Sequence, residues 1–322
     1  MPKILCSIAT RGRYFTTLPL VLNAVINQSR PVDKLVIFDD NDEPQDMRKE
    51  FIYQNFFWQL DSRRIPWEWK YAEKKGQHHI HQHANRMGYD WVWRVDDDAI
   101  PEPNVLENLA KHIADDVGAV GGSVLNGPNF PMFLEATGKI DNIDNEPNMQ
   151  WGLIRNVKEV EHLHCTFIYR AGIHDYNRGL SRVAHREETL FSWGLHRKGY
   201  KLLVVPDAVT WHYRNPNGGI RQESKIEMFH HDERIFRNHL AYRDKKVVVL
   251  NNGLGDHIVF SHILPDIKNA ELFTCYPEII PGKSIAEAQA LFGDLEPYNV
   301  YAKMDQWKWT GSLEAAYRKL YL

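Results

Sequence analysis

Through the first 125 residues, short apolar runs alternate with polar loops and with segments of helical spacing. Lys3–Ile8 is an apolar run. The polar loop Ala9-Thr10-Arg11-Gly12-Arg13 follows, and Phe15–Asn27 then repeats its apolar residues at helical intervals. Lys34–Phe38 is a second apolar run, closed by Asp39-Asp40-Asn41-Asp42. Strand, helix, strand in this order predicts a parallel βαβ unit. Trp67–Tyr71 reads as a third strand, Gln77–Met87 as a helix, and Trp91–Val95 as a fourth strand closed by Asp96-Asp97-Asp98. Pro103–Ala114 predicts a helix and Ala119–Val124 a strand. The alternation predicts an open α/β sheet with helices on both faces, whose ligands bind at the carboxyl ends of the strands. Both acidic clusters fall at such ends.

Farther along, Phe130–Gln150 is rich in Asn, Pro and Gly and reads as a long loop. His162–Tyr169 is strand-like, His185–Lys198 is a helix ending at Gly199, and Lys201–Val205 and Val209–Tyr213 are two short strands. Asn215–Gly219 is turn-prone, and Glu223–Tyr242 is helical and charge-rich. A junction at Arg243-Asp244-Lys245-Lys246 predicts a domain over 1–243 and a small α/β module over 244–322. In that module Val247–Leu250 restarts a strand, and a Gly253-x-Gly255 loop precedes a helix.

Composition narrows the function. A net charge of -3 excludes a globally basic nucleic-acid binder, though not a local basic groove. Three cysteines give neither a disulfide framework nor a metal-ligand spacing. Together with a short apolar N-terminal run and no stretch near the ~20 apolar residues of a membrane span, they predict a reduced, cytoplasmic protein without a membrane span. Four histidines lie over 78–83, with His79 and His83 at i, i+4, but no further zinc ligand is apparent nearby.

The chemistry concentrates in WVWRVDDDAIPEPN, residues 91–104. Consecutive carboxylates after an apolar strand repel one another, and a divalent cation relieves that repulsion. Alternation places Asp96 and Asp98 on one side of an extended chain. Alone, the cluster reads more readily as a cap for the following helix or a solvated loop than as a metal site, and Glu187-Glu188 alone reads as a pair favouring a helix dipole.

The ordered set of segments resembles the inverting, family-2 type of GT-A glycosyltransferases over roughly residues 3–220. It comprises LCSIATRGRYFTTLPLVLNAVINQSRPVDKLVIFDDND at 5–42, RVDDDAIPEPNVLENL at 94–109 and HREETLFSWGLHRKGYKLLVVPDAVTWHY at 185–213. The resemblance implies a GT-A fold, an open mixed sheet flanked by helices, and a nucleotide-sugar donor, UDP-linked in most such enzymes. Asp96 and Asp98 are then the Asp-x-Asp pair around Asp97. They hold Mn²⁺ or Mg²⁺ with His212. Ala9, Thr10, Arg11, Asp39 and Asp40 line the nucleotide, with Asp96 and Asp97 also on the donor. Glu188 is the catalytic base, with Glu187 beside it. Arg214 or Arg221, around the Gly-rich loop, pairs with phosphate. The acceptor is a glycan or a modified nucleic-acid base such as a hydroxymethylated one. A sugar-phosphate nucleotidyltransferase and a non-catalytic sugar-binding module are the alternatives. VVVLNNGLGDHIVFSHILPDI at 247–267 resembles the opening of a GT-B sugar transferase domain.

Overall fold

In the computed structural model, which describes residues 2–126, 143, 149–214, 218–219, 225–299 and 312–322, the apolar runs become strands. β1 (Ile4–Thr10), β2 (Lys34–Asp39), β3 (Trp67–Tyr71) and β4 (Trp91–Asp96) are mutually parallel in the order β3-β2-β1-β4. Between them lie the helices α1 (Leu18–Ile26), α2 (Phe51–Ser62) and α3 (Gln77–Asn85). Side chains alternate across β1. Ile4, Cys6 and Ile8 join a core with Leu18, Val21, Leu22 and Val25 of α1, while Leu5 joins a second core with Ile80 and Ala84 of α3. Burial on both faces explains why these strands read as continuous apolar runs rather than alternating ones.

Beyond β4 the sheet becomes mixed. β5 (Ala99–Pro101), α4 (Val105–Ala110), β6 (Val117–Asn126), β7 (Lys158–Val160), β8 (Phe167–Arg170), α5 (Glu187–Arg197) and β9 (Lys201–His212) follow in the chain. In space β8 lies antiparallel between β4 and β6. β9 runs parallel to β6, and the short β5 and β7 pair antiparallel with β9. The two strands expected over 201–213 are one, with a register shift between Gly122 and Ser123 of the paired β6. A Cβ on Gly122 would lie 1.8 Å from the Ala208 carbonyl oxygen, so only glycine admits this close crossing. The expected strand over 162–169 shortens to 167–170. Cys165 has φ 56°, a left-handed conformation that interrupts an extended run. Helix α2 has no counterpart in the periodicity, because it is apolar on both faces. Tyr53, Phe57 and Leu60 are buried, whereas Phe51 and Trp58 are exposed.

The chain divides into two compact units, Met1–Tyr176 with Arg182–Lys225, and Asn177–Ser181 with Ile226–Leu322. The division falls before the helix α6 (Ile226–Ala241), not at residue 243. α6 packs in the second unit, where Asn238 Nδ2 donates to the Leu291 carbonyl and the His239 ring meets Phe292. The segment 177–181 is tied to the same unit by Ser181 N and Oγ, which donate to the Asp232 carboxylate at 2.6 and 2.8 Å. This unit also holds a parallel three-stranded sheet of β10 (Lys246–Leu250), β11 (Ala270–Thr274) and β12 (Lys283–Ser284), with helices α7 (Leu254–Ser261), α8 (Ile285–Phe292) and α9 (Leu313–Tyr321). Among the described residues no helix is long and apolar enough to cross a membrane.

Candidate active site

The register of the sheet brings the candidate residues together. Thr10 of β1 is level with Asp39 of β2, and Ala9 with Asp96 of β4, so the three strands end within one residue of one another. Across the sheet, His212 at the end of β9 is paired with Asn126 of β6 and with Ala99 of β5, the residue after the Asp run. The Tyr213 amide donates to the Asp98 carbonyl at 2.9 Å, which pins the end of β9 to the acidic turn.

The three aspartates have different surroundings. Asp97 turns toward the β1 loop, where it accepts from Thr10 Oγ1 at 2.8 Å, from the Arg11 amide at 3.2 Å and from Arg13 Nη1 at 2.5 Å. Asp98 shares that guanidinium, at 2.9 Å, and has its Oδ1 3.3 Å from His212 Nε2. Asp96, at the rim, lies 3.3 Å from Arg94 Nη2. Ligand atoms of Asp96, Cys165 and His212 all lie within 4.8 Å of one another. Burial pushes the Asp97 carboxyl up to about 6 against the pull of Arg13. Burial also raises Asp96, with Arg94 opposing and Asp98 reinforcing. The carboxylates here exceed what the neighbouring arginines neutralise. Burial keeps the Cys165 thiol protonated, and the remaining donors, carboxylate oxygens and one imidazole, suit Mn²⁺ or Mg²⁺, so the residues present fit such an ion.

Glu187 and Glu188 open α5 after an unusual turn, in which Ala184 and Arg186 both adopt positive φ, 54° and 68°. Glu187 is buried and fully engaged. It receives Arg94 Nη1 at 2.9 Å on one oxygen, and Arg94 Nη2 at 2.7 Å and Gln77 Nε2 at 2.9 Å on the other. Arg94, 0% exposed, is itself held well above the ordinary guanidinium range: burial opposes its charge, and Glu187, Tyr176 and Asp96 together outweigh it. Glu188 is only half-buried, with Oε1 4.0 Å from His164 Nδ1. The segment carrying His164 is fastened to β4, because Thr166 Oγ1 donates to the Arg94 carbonyl at 2.7 Å and Arg94 Nε donates to the Cys165 carbonyl at 3.0 Å.

The cluster at β2 is packed differently. Asp39, buried, accepts from Tyr14 OH on one oxygen and from the Asn41 amide and side chain, at 3.1 and 2.7 Å, on the other. Arg11 spans the two loops, donating to the Asp40 carbonyl at 2.5 Å and pairing with Asp42. Asp40 is raised by burial against the pull of Arg182 and Arg11. The described part of the Gly-rich loop meets the same loop after β1, with Gly219 N donating to the Arg11 carbonyl at 2.8 Å. Arg214 stands over the Trp151 ring at 5.7 Å. Arg221 lies outside the described residues.

Arg13, Arg94, His164, Cys165 and Trp151 belong to this neighbourhood without having been picked from the sequence. Arg94 carried a signal, being the lone charge inside the run Trp91–Val95. The others carried none, since their places depend on strands paired far apart in the chain. The His78–His83 cluster joins no metal-capable group among the described residues, and His78 and His81 are buried.

The glycosyl transferase family 2 profile matches residues 8–187, more than half of the chain. The chain belongs to that family. Its fold is that of solved GT-A enzymes. GalNAc-T7, crystallised with UDP, GalNAc and Mn²⁺, superposes with TM-score 0.51 at 15% identity, covering 66% of this chain and 44% of its own. TarS of S. aureus, in complex with UDP-GlcNAc, gives TM-score 0.48 at 14% identity, with 69% and 61% covered. The mannosyltransferase PcManGT of Pyrobaculum calidifontis, with GDP-Man and Mn²⁺, gives 0.46 at 15% identity, with 74% and 61% covered. The chain thus spans less than two thirds of the length of each. No curated protein sequence matches it significantly.

Proposed function

We propose that this chain transfers a sugar, with inversion at the anomeric carbon, from a UDP-linked or related nucleotide-sugar donor to a glycan hydroxyl. The observation that carries the reading is the gathering of Asp96, Asp98 and His212 at the strand ends, beside the half-buried carboxylate of Glu188. Asp96, Asp98 and His212 would hold Mn²⁺ or Mg²⁺, with the Cys165 sulfur adjacent. The ion supplies positive charge to the leaving diphosphate. Thr10, Arg11 and Arg13, ordered by Asp97, shape the loop that receives the nucleotide. Asp39 and Asp40 line its base side, and Arg214 or Arg221 pairs with phosphate.

Glu188 is the general base. Its carboxylate takes the acceptor hydroxyl's proton as that oxygen attacks the anomeric carbon, and the bond from that carbon to the diphosphate breaks on the opposite face. Glu187 is a positioning residue, already committed to Arg94 and Gln77. Trp151, half-buried and 5.5 Å from the His164 ring centroid, offers the aromatic face that a sugar ring favours. Free thiols at Cys6, Cys165 and Cys275 suit a reducing, cytoplasmic setting.

The test is hydrolysis of a panel of nucleotide sugars by the full chain with and without Mn²⁺, followed by NMR of a transfer product. Metal-dependent consumption of one donor and an inverted product are expected. Full activity in chelator, a retained configuration, or net synthesis of a nucleotide sugar from a sugar phosphate would each overturn the reading.

A further inference from the structure

Outside the site described above, the second unit carries a nucleophile with an oriented base. β10 and β11 are parallel neighbours, and both end at one edge of their sheet, β10 at Leu250 and β11 at Thr274. The loop after β10 leads into α7 and carries His257. The residue after β11 is Cys275, whose amide donates to the Leu250 carbonyl at 3.2 Å and so ties the two strand ends together. Cys275 is exposed, and its Sγ lies 3.8 Å from His257 Nε2 and 3.4 Å from the Asn252 carbonyl oxygen.

His257 is buried, and its ring is fixed from two sides. Nδ1 lies 3.0 Å from the Gly253 carbonyl oxygen, an acceptor only, so Nδ1 carries the hydrogen. Nε2 therefore presents its lone pair to the sulfur. The Tyr276 ring stands edge-on to the imidazole at 4.9 Å. A carbonyl holding one ring nitrogen as donor so that the other serves as base is the arrangement that activates a thiol. Cys6 and Cys165 have no such setting: both are buried, and burial raises both thiols.

We propose that Cys275, with His257 as its base, is a site of covalent thiol modification that exchanges with low-molecular-weight disulfides. The imidazole Nε2 takes the thiol proton, and the sulfur attacks one sulfur of the disulfide. The S–S bond breaks, and the departing thiolate recovers the proton from the imidazolium. The product is a mixed disulfide on Cys275 plus one free small thiol, with no further oxidant needed.

The probe is 5,5′-dithiobis(2-nitrobenzoic acid), a chromogenic small disulfide, applied to the full native chain at neutral pH. One thiol per chain reacts rapidly, and mass mapping places it on Cys275. Its rate exceeds that of the same cysteine in the urea-unfolded chain by about tenfold or more. Cys275→Ser removes the fast phase, and His257→Gln slows it by a similar factor. A native rate no greater than the unfolded one overturns the proposal, and so does an unchanged rate in a His257→Gln protein that melts cooperatively. The comparison with the unfolded wild type stands even if His257→Gln does not fold.

Discussion

Two acidic clusters end β2 and β4, the strands on either side of β1, yet they are held differently. At the end of β2, Asp39 is satisfied on both oxygens by Tyr14 and Asn41, and Asp42 is paired with Arg11 and Arg182. Those pairs hold the exposed Asp42 carboxyl down to about 2, with the Arg11 hydrogen bond as the leading cause. At the end of β4, burial raises Asp96 and Asp97 even with Arg94 and Arg13 alongside. In the first cluster Asp39 and Asp42 are paired within the protein, and only Asp40 is raised by burial. In the second, burial raises two of three consecutive carboxylates, and under the proposed function a cation from solution would complete it. Similar composition therefore conceals a frame in one place and, on the proposed function, a ligand set in the other.

The largest expected effect tests the second half of that contrast. Chelation with EDTA should abolish transfer, and Mn²⁺ or Mg²⁺ should restore it. Asp98→Ala or Asp96→Asn should lower turnover by about 10²-fold or more, since charge on the leaving group goes uncompensated. In chelator, Asp96→Asn should melt no lower than wild type, because it removes a carboxylate whose ionisation burial opposes. A markedly lower melting temperature would show that Asp96 is structural.

Next in size is the base. Glu188→Gln keeps the side-chain shape and removes the basicity. Steady-state assays should show turnover down by roughly 10²–10⁴-fold, with donor binding intact. Glu187→Gln should act mainly on stability, because it leaves the buried Arg94 without its partner charge. Near-normal turnover in Glu188→Gln moves the base elsewhere.

A smaller effect tests the first cluster. Asp39→Ala strands Tyr14 and Asn41, and chemical denaturation should show about 1–3 kcal/mol of lost stability. Calorimetry should show donor affinity weakened by a comparable amount if the nucleobase also contacts this carboxylate. Tyr14→Phe then separates the two roles, since it removes one internal partner and leaves Asp39 available to the donor. Unchanged stability in Asp39→Ala would erase the contrast between the clusters.

The smallest effect lies beneath Arg94. His81 is fully buried, and burial, the Arg94 charge and His78 hold its pKa well below the ordinary value. The folded state therefore keeps it neutral, while the unfolded chain protonates it below about pH 6.5. Its contribution to stability is complete above that pH and is lost as pH falls toward the depressed native value. Measured against His81→Asn, which cancels the neighbouring carboxylates, wild type should lose roughly 1 kcal/mol per pH unit below 6.5. A pH-independent difference would mean that His81 is charged in the fold.

Much of the frame was legible in the chain. Strands buried on both faces leave unbroken apolar runs, so β1 to β4 could be read almost residue by residue, as could the two acidic endings. Helix α2 was not legible, because exposed Phe51 and Trp58 blur its apolar stripe. The allegiance of α6 was not legible either, since a charge-rich amphipathic helix does not say which core its Ile235 and Phe236 enter. In the site, the family resemblance pointed to Asp96, Asp98 and Glu188, whereas local pattern marked only the run Asp96-Asp97-Asp98 and the pair Glu187-Glu188. Local pattern gave no means to find Cys165, whose place depends on a left-handed turn. Nor did it separate Glu187 from Glu188, whose difference lies in Arg94 and Gln77, contributed by two other elements.

The insertion of β8 between β4 and β6 also sets a timetable for synthesis. The four parallel strands through Asp96 involve neighbours already made, and they can assemble while the rest is still being translated. β6 has no seat in the sheet until Phe167–Arg170 emerges to separate it from β4, and His212 arrives later still. A nascent chain arrested before Phe167 therefore exposes the bare edge of β4, with the acidic turn at its end and nothing across from it. Limited proteolysis of ribosome-bound chains should show β1 to β4 protected early, with protection of 117–126 beginning once residue 170 has cleared the tunnel and complete once residue 212 has.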